Sequence, residues 1–279
     1  YLDNAGAPRP TSFLLRQILA DLERTGLGNP HSGGASEAIL TEARSLVLNH
    51  FGAPLEEYDC VFTSGSTAGL KLVGELFPFG ERGHLIHPTS VHTSLLGIRG
   101  YSGRSLHFDS TLLYGSHDVL MMDGDSGCEQ PELQFPSIER EEFHLFATSG
   151  ECNFSGAKIC LQETAQLFRK HRDGEHDASI YTTLVEGGGG LSSELYEREE
   201  EKRSEATHEV QALPWMWLLD AAKLASTSPL CLRVLPRGGR PDFVTISFYK
   251  MFGYPTGLGA LLVRKERGDL LRKRKRYYG

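Results

Sequence analysis

Residues 60–77 read CVFTSGSTAGLKLVGELF, and the order of features in this stretch decides the fold class. Cys60-Val61-Phe62 is a short apolar run of the kind that forms a buried strand. Thr63-Ser64-Gly65-Ser66-Thr67 breaks the run, and residues 68–77 follow at once as a helical stretch. A strand turning directly into a helix is the repeating step of an α/β protein. Working outward, residues 11–25 place Phe13, Leu14, Ile18, Leu19 and Leu22 three to four apart, an amphipathic helix. Residues 36–51 continue that pattern through Ile39, Ala43, Leu46, Val47 and His50. Further strand candidates lie at 84–87, 143–147, 215–219, 243–247 and 260–263. Apolar strands separated by helices predict an α/β fold with a mostly parallel central sheet flanked by helices on both faces.

The chain has 279 residues, 39% of them hydrophobic, enough for one large domain or two modest ones. Its 29 basic and 36 acidic residues give a net charge of −7, which argues against a dedicated nucleic-acid binder. No apolar run approaches the roughly 20 residues of a membrane helix. Cys60, Cys128, Cys152, Cys160 and Cys231 are odd in number and widely spaced, without a CxxC pair. That pattern suits a reducing compartment, and with no leader peptide visible it implies a cytoplasmic location. The chain begins without Met and stops just after a basic helical stretch, so a segment of a longer protein is expected. Residues 187–210, opening on four glycines and rich in glutamate, read as a solvated flexible insertion, and 108–135 as a second surface excursion. The run from Arg272 to Arg276 reads as the polar face of a helix starting near Lys265.

Three places carry chemistry. At residues 63–68 the glycine permits a tight turn, and the first helical N–H groups with two hydroxyls suit a phosphate. An ordinary capped helix start fits the same residues, and no Gly-Lys-Ser/Thr follows to make a Walker loop. In Ser247-Phe248-Tyr249-Lys250, a lysine ends an apolar strand and enters a Gly/Pro-rich turn. Burial there would lower its pKa and free the amine to condense with a carbonyl; exposed, it is a plain surface lysine. Asp220 ends the apolar run from Trp215, either as a helix cap or as a carboxylate placed to meet a cationic ring nitrogen. A phosphate, an aldehyde and a pyridinium together describe one ligand, pyridoxal 5'-phosphate.

The chain also carries, in order, Tyr1-Leu2-Asp3-Asn4-Ala5, Gly28-Asn29-Pro30-His31, the 63–68 turn, Asn153-Phe154-Ser155-Gly156, Asp220-Ala221-Ala222 and the 247–259 run. On these residues it resembles the class V aminotransferase and cysteine desulfurase group of fold-type-I pyridoxal-phosphate enzymes. Within that group, Asn153-Phe154-Ser155-Gly156 and residues 247–263 are similar to the amino-terminal domain of the molybdenum cofactor sulfurase family. The resemblance implies that residues 1–279 form the pyridoxal-phosphate-binding large domain. It implies that Lys250 links to the cofactor and later moves the Cα proton, and that Asp220 pairs with the ring nitrogen. Ser66, Thr67 and Ser247 would bind the phosphate, His92 would stack on the ring, and Asn153 would bond the ring oxygen.

The activity so implied takes sulfur from L-cysteine, releases L-alanine, and passes the sulfur through an enzyme persulfide to the molybdenum cofactor of enzymes such as xanthine dehydrogenase and aldehyde oxidase. The molybdenum cofactor would bind through a region outside this chain, and the protein would form a homodimer, with neither nucleic acid nor membrane as partner. A general cysteine desulfurase and a catalytically silent scaffold are the alternatives. Tyr249 stands where desulfurases usually carry His before the lysine, and Lys223 where they often carry Gln. The resemblance implies that the persulfide cysteine lies beyond the matched region, and Cys60 and Cys152 read as packing thiols. His84 and His87 would splay to opposite faces of a strand, so no metal is expected.

Overall fold

The computed structural model describes residues 1–4, 6–26, 28–29, 34–113, 143–173, 185–186 and 215–273. The 187–210 insertion lies outside the described residues, as do Cys128, Pro30, His31 and most of the basic run after Arg272.

Among the described residues eight strands form one sheet: β1 (Tyr58–Thr63), β2 (His84–Pro88), β3 (Arg104–Phe108), β4 (His144–Ser149), β5 (Val185–Glu186), β6 (Trp215–Asp220), β7 (Phe243–Ser247) and β8 (Gly259–Arg264). Their spatial order is β1-β8-β7-β6-β4-β2-β3-β5. The five central neighbours β7, β6, β4, β2 and β3 run parallel, while β8 is antiparallel to both β7 and β1, and β5 is antiparallel to β3. The sheet is therefore mostly parallel, as the apolar runs predict.

Strand β6 shows why. All six of its residues, WMWLLD, are buried. Trp215, Trp217 and Leu219 enter one apolar cluster with Phe146 and Phe168, while Met216 and Leu218 enter another with Leu70, Val73 and Phe77. Side chains alternate across a strand, so a continuous apolar run requires cover on both faces. Helix α3 (Ser66–Leu76) covers the second cluster through Leu70 and Val73. On the other face α2 (Ala35–His50) contributes Leu48, and α5 (Leu161–Asp173) contributes Ala165 and Phe168.

Helix α1 (Ser12–Arg24) forms with Thr11 as its N-cap, the Thr11 Oγ1 accepting from Leu14 N at 3.1 Å. None of its residues is buried, and Phe13, Leu19 and Leu22 are more than half exposed, so among the described residues its apolar stripe has no cover. The short helices α4 (Thr93–Leu96), α6 (Leu224–Thr227) and α7 (Phe248–Phe252) follow strand ends, and α8 (Lys265–Lys273) follows β8. The first part of the 108–135 stretch is no surface excursion: Phe108 ends β3, and Ser110 and Leu113 are buried. No described helix is long and apolar enough to cross a membrane.

Candidate functional site

Strands β1, β7, β6, β4 and β2 all end at the same edge of the sheet. In open α/β sheets ligands bind at this carboxyl edge. Here the edge opens into a solvent-connected cleft of ≈ 480 Å³, lined by Ser66, Thr67, His92, Asn153, Asp220, Ser247 and Lys250. The structure thus brings together all seven residues singled out in the sequence. It adds Ser149, Glu151, Lys223 and Tyr249 to the lining.

Asp220 is the last residue of β6 and only 8% exposed. Its Oδ1 accepts from Ser66 Oγ at 2.9 Å, Ala222 N at 3.1 Å and Thr245 Oγ1 at 3.4 Å. Among the described residues every hydrogen bond to this carboxylate reaches Oδ1, which leaves Oδ2 open. Oδ2 is thus free to accept from a ligand at the cleft. Ser149, the last residue of β4 and in register with Asp220, presents a buried hydroxyl that likewise has no partner.

Lys250 lies in α7, three residues beyond the end of β7. Burial lowers its pKa and the charge of Lys223 adds to that, while Asp220 and Glu151 oppose it. A lysine so placed is more readily deprotonated, the state in which an amine attacks a carbonyl.

The phosphate-type turn divides its two hydroxyls. Gly65 adopts φ +96°, a conformation open to glycine, and starts α3. Ser66 N donates to Ser247 Oγ at 3.0 Å, but the Ser66 hydroxyl turns inward to Asp220 and Thr245. Thr67 is exposed to the cleft, its Oγ1 2.9 Å from Ser94 Oγ. His92 is the exposed N-cap of α4, with Nδ1 accepting from Ser94 N at 3.1 Å.

Lys223 is only partly exposed, and its ammonium is tied to the loop that carries Asn153. It donates to Cys152 O at 3.1 Å and Asn153 O at 3.2 Å, and pairs with Glu151 Oε1 at 3.4 Å. Glu151 also receives Thr227 Oγ1. Lys223 therefore anchors the Asn153 loop instead of pointing to solvent.

The two cysteines read as packing thiols separate. Burial pushes Cys60 up to about 11, as a packing thiol requires. Burial also raises Cys152, yet the Ser155 hydroxyl, the N–H groups of Ser155 and Phe154, and the Lys223 charge bring it below its usual value. Cys152 is thus a half-buried thiol in a donor-rich turn, which corrects the packing reading. No cysteine among the described residues lines the cleft.

His84 and His87 do splay: His84 packs on His144 and His87 stacks on His107. Sequence reasoning missed Ser149 and Glu151. Ser149 left a signal, the second of two hydroxyl residues that follow the apolar run Leu145-Phe146-Ala147 at the end of β4.

No family model matches the chain. The chain is 34% identical over 290 residues to the molybdenum cofactor sulfurase of Solanum lycopersicum, covering 98% of this chain and 31% of that protein. To the molybdenum cofactor sulfurase of Homo sapiens it is 33% identical, covering 100% and 27% respectively. It therefore spans about a third or less of the curated relatives it matches. Among solved structures it is similar to a NifS-like protein from Rickettsia africae (TM-score 0.59, 17% identity, covering 95% of this chain and 58% of that one). It is also similar to a mutant of C-DES with glycine covalently linked to its pyridoxal-phosphate cofactor (TM-score 0.56, 15% identity, 95% and 56%). These structural likenesses establish the fold.

Proposed function

We propose that this chain, a relative of the molybdenum cofactor sulfurases that aligns with them over nearly its whole length, binds pyridoxal 5'-phosphate in the cleft and takes sulfur from L-cysteine for a molybdenum cofactor. The observation that carries the reading is that Lys250 and Asp220 line one cleft: an amine whose pKa burial lowers, and a carboxylate whose Oδ2 takes no hydrogen bond from the described residues. The residues present fit that cofactor. Asp220 would hold the pyridinium nitrogen. Thr67, Ser247 and the first-turn N–H groups of α3 would hold the phosphate, with His92 and Asn153 beside the ring. When bound, pyridoxal phosphate supplies an electron sink that weakens the bonds at Cα of an amino acid and, through them, the bond from Cβ to sulfur.

Lys250 would hold the cofactor through its aldehyde carbon and, once its amine is free, would move the proton at the substrate Cα. Burial lowers its pKa, which favours the neutral amine that acts as a base. The Glu151–Lys223 pair holds the Asn153 loop against the cleft. L-cysteine leaves as L-alanine once its sulfur passes to a thiol. That thiol is assigned outside the described residues, as the greater length of the relatives allows, and a homodimer with a cytoplasmic location belongs to the same proposal.

The test is visible absorption on adding pyridoxal phosphate, followed by borohydride trapping and peptide mapping, with Lys250→Ala alongside. The expected result is a stable adduct at Lys250 that the variant lacks. Cofactor binding with no adduct at Lys250 would overturn the assignment. An assay of alanine release from cysteine then separates an active enzyme from a silent scaffold.

A further inference from the structure

Ser66 is 5% exposed and held at both ends. Its N–H donates to Ser247 Oγ at 3.0 Å, and its hydroxyl lies 2.9 Å from Asp220 Oδ1 and 2.7 Å from Thr245 Oγ1. Thr245 is fully buried and stands 3.4 Å from the same Oδ1. Each hydroxyl has one proton to give. Ser66 donates its proton to Thr245 or to the carboxylate, and Thr245 can give its own to the same Oδ1. The backbone N–H of Ala222, at 3.1 Å, completes the set. Contacts from α3, β7 and the turn after β6 thus meet on one oxygen, and rotation of the carboxylate would break them together.

We propose that Ser66 is a positioning residue for Asp220. With Thr245 it locks Oδ1 and so presents Oδ2 to the ligand, and its hydroxyl is not a phosphate ligand. At this turn the phosphate then depends on Thr67 and the N–H groups of α3. The inference rests on reading the cleft as a pyridoxal-phosphate site, and it revises the role expected for Ser66 from the sequence.

The experiment loads the full-length protein and the variants Ser66→Ala, Asp220→Asn, their double and Thr67→Ala with pyridoxal phosphate. It reads the pH midpoint of the visible band of the lysine-linked cofactor, and the dissociation constants of pyridoxal phosphate and of phosphate-free pyridoxal. Ser66→Ala is expected to move the midpoint by about one pH unit, tenfold in the proton equilibrium, in the direction of Asp220→Asn. The double variant should move little further than Asp220→Asn alone. Ser66→Ala should lose affinity for both ligands by the same factor, whereas Thr67→Ala should lose it for pyridoxal phosphate only. A Ser66→Ala protein with the wild-type midpoint that keeps its affinity for pyridoxal and loses it for pyridoxal phosphate overturns the inference and restores the phosphate role. Should Ser66→Ala not fold, Thr245→Val takes its place with the same midpoint readout. A wild-type protein that forms no adduct at Lys250 overturns the reading of the cleft and this inference together. An adduct in wild type with an unmoved midpoint in the variants overturns this inference alone.

Discussion

At the scale of single residues, the cleft holds polar groups that the protein alone leaves unsatisfied. Among the described residues the buried hydroxyl of Ser149 has no partner, and Asp220 Oδ2 receives no hydrogen bond. A buried polar group without a partner costs about 1–3 kcal/mol, which a ligand can return. Ser149→Ala is accordingly expected to stabilise the cofactor-free protein, by about 1 kcal/mol, because it removes the orphaned hydroxyl. The same change should weaken pyridoxal-phosphate binding several-fold. Denaturant unfolding without cofactor and a binding titration measure the two effects, and their opposite signs are the point. A variant less stable than wild type without cofactor would show that Ser149 serves packing alone. Lys223 is the contrasting case: its hydrogen bonds and ion pair all go to the 151–153 loop, so it needs no ligand.

At the scale of elements, the site depends on backbone approach as much as on side chains. Gly259 opens β8 beside Gly65, and a Cβ at Gly259 would meet Gly65 Cα at 2.7 Å and collide with Ile246 O. The turn that starts α3 can therefore rest directly on the sheet, which sets Ser66 against Asp220. Gly259→Ala is expected to destabilise the protein by about 1–3 kcal/mol and to loosen cofactor binding together with it. Chemical denaturation with and without pyridoxal phosphate reads both, and a variant of wild-type stability would dismiss this packing. This closeness was invisible in the sequence, where Gly259 is one of several glycines in a turn-rich run. Strands β2, β4, β6, β7 and β8 were legible because burial on both faces leaves them largely apolar, and β1, exposed at Asp59 and Val61, because its Cys60-Val61-Phe62 run meets a glycine turn. Strand β3, RSLHF, was not legible: it begins on an exposed arginine and its residues are unevenly buried, so its pattern reads as a loop. Lys250 and Asp220 were legible because each follows or ends an apolar run at the sheet edge. The direction of the Ser66 hydroxyl was not, since its partners Asp220 and Thr245 are more than 150 positions away in sequence.

At the scale of the molecule, the two ends of the parallel strands have different duties, and acid should act on one of them first. The carboxyl ends form the cleft, while the amino ends of β2 and β4 bury His84 against His144. His144 is fully buried, its Nδ1 accepts from His84 N at 3.0 Å, and its Nε2 has no partner among the described residues. That geometry requires the neutral ring, since a proton on Nδ1 would break the bond from the backbone. Burial, reinforced by the charge of His84, lowers His144 to about 4, and burial with Arg104 lowers His84 as well. In the unfolded chain the same imidazole takes up its proton near pH 6.5. Between about pH 6.5 and 4 the unfolded state thus binds more protons than the folded one, so unfolding free energy falls as pH falls. For one proton the slope is at most about 1.4 kcal/mol per pH unit. Replacing His144 with asparagine keeps a side-chain acceptor near the Nδ1 position and removes the titration. His144→Asn is expected to flatten the dependence of stability on pH between 7 and 5, whatever it does to stability at pH 7. Urea unfolding at several pH values measures the slope, and equal slopes in the variant and wild type would place the acid sensitivity elsewhere. Because His144 stands at the opposite edge of the sheet from Lys250, the flattened slope should come with an unchanged pH dependence of adduct formation at Lys250.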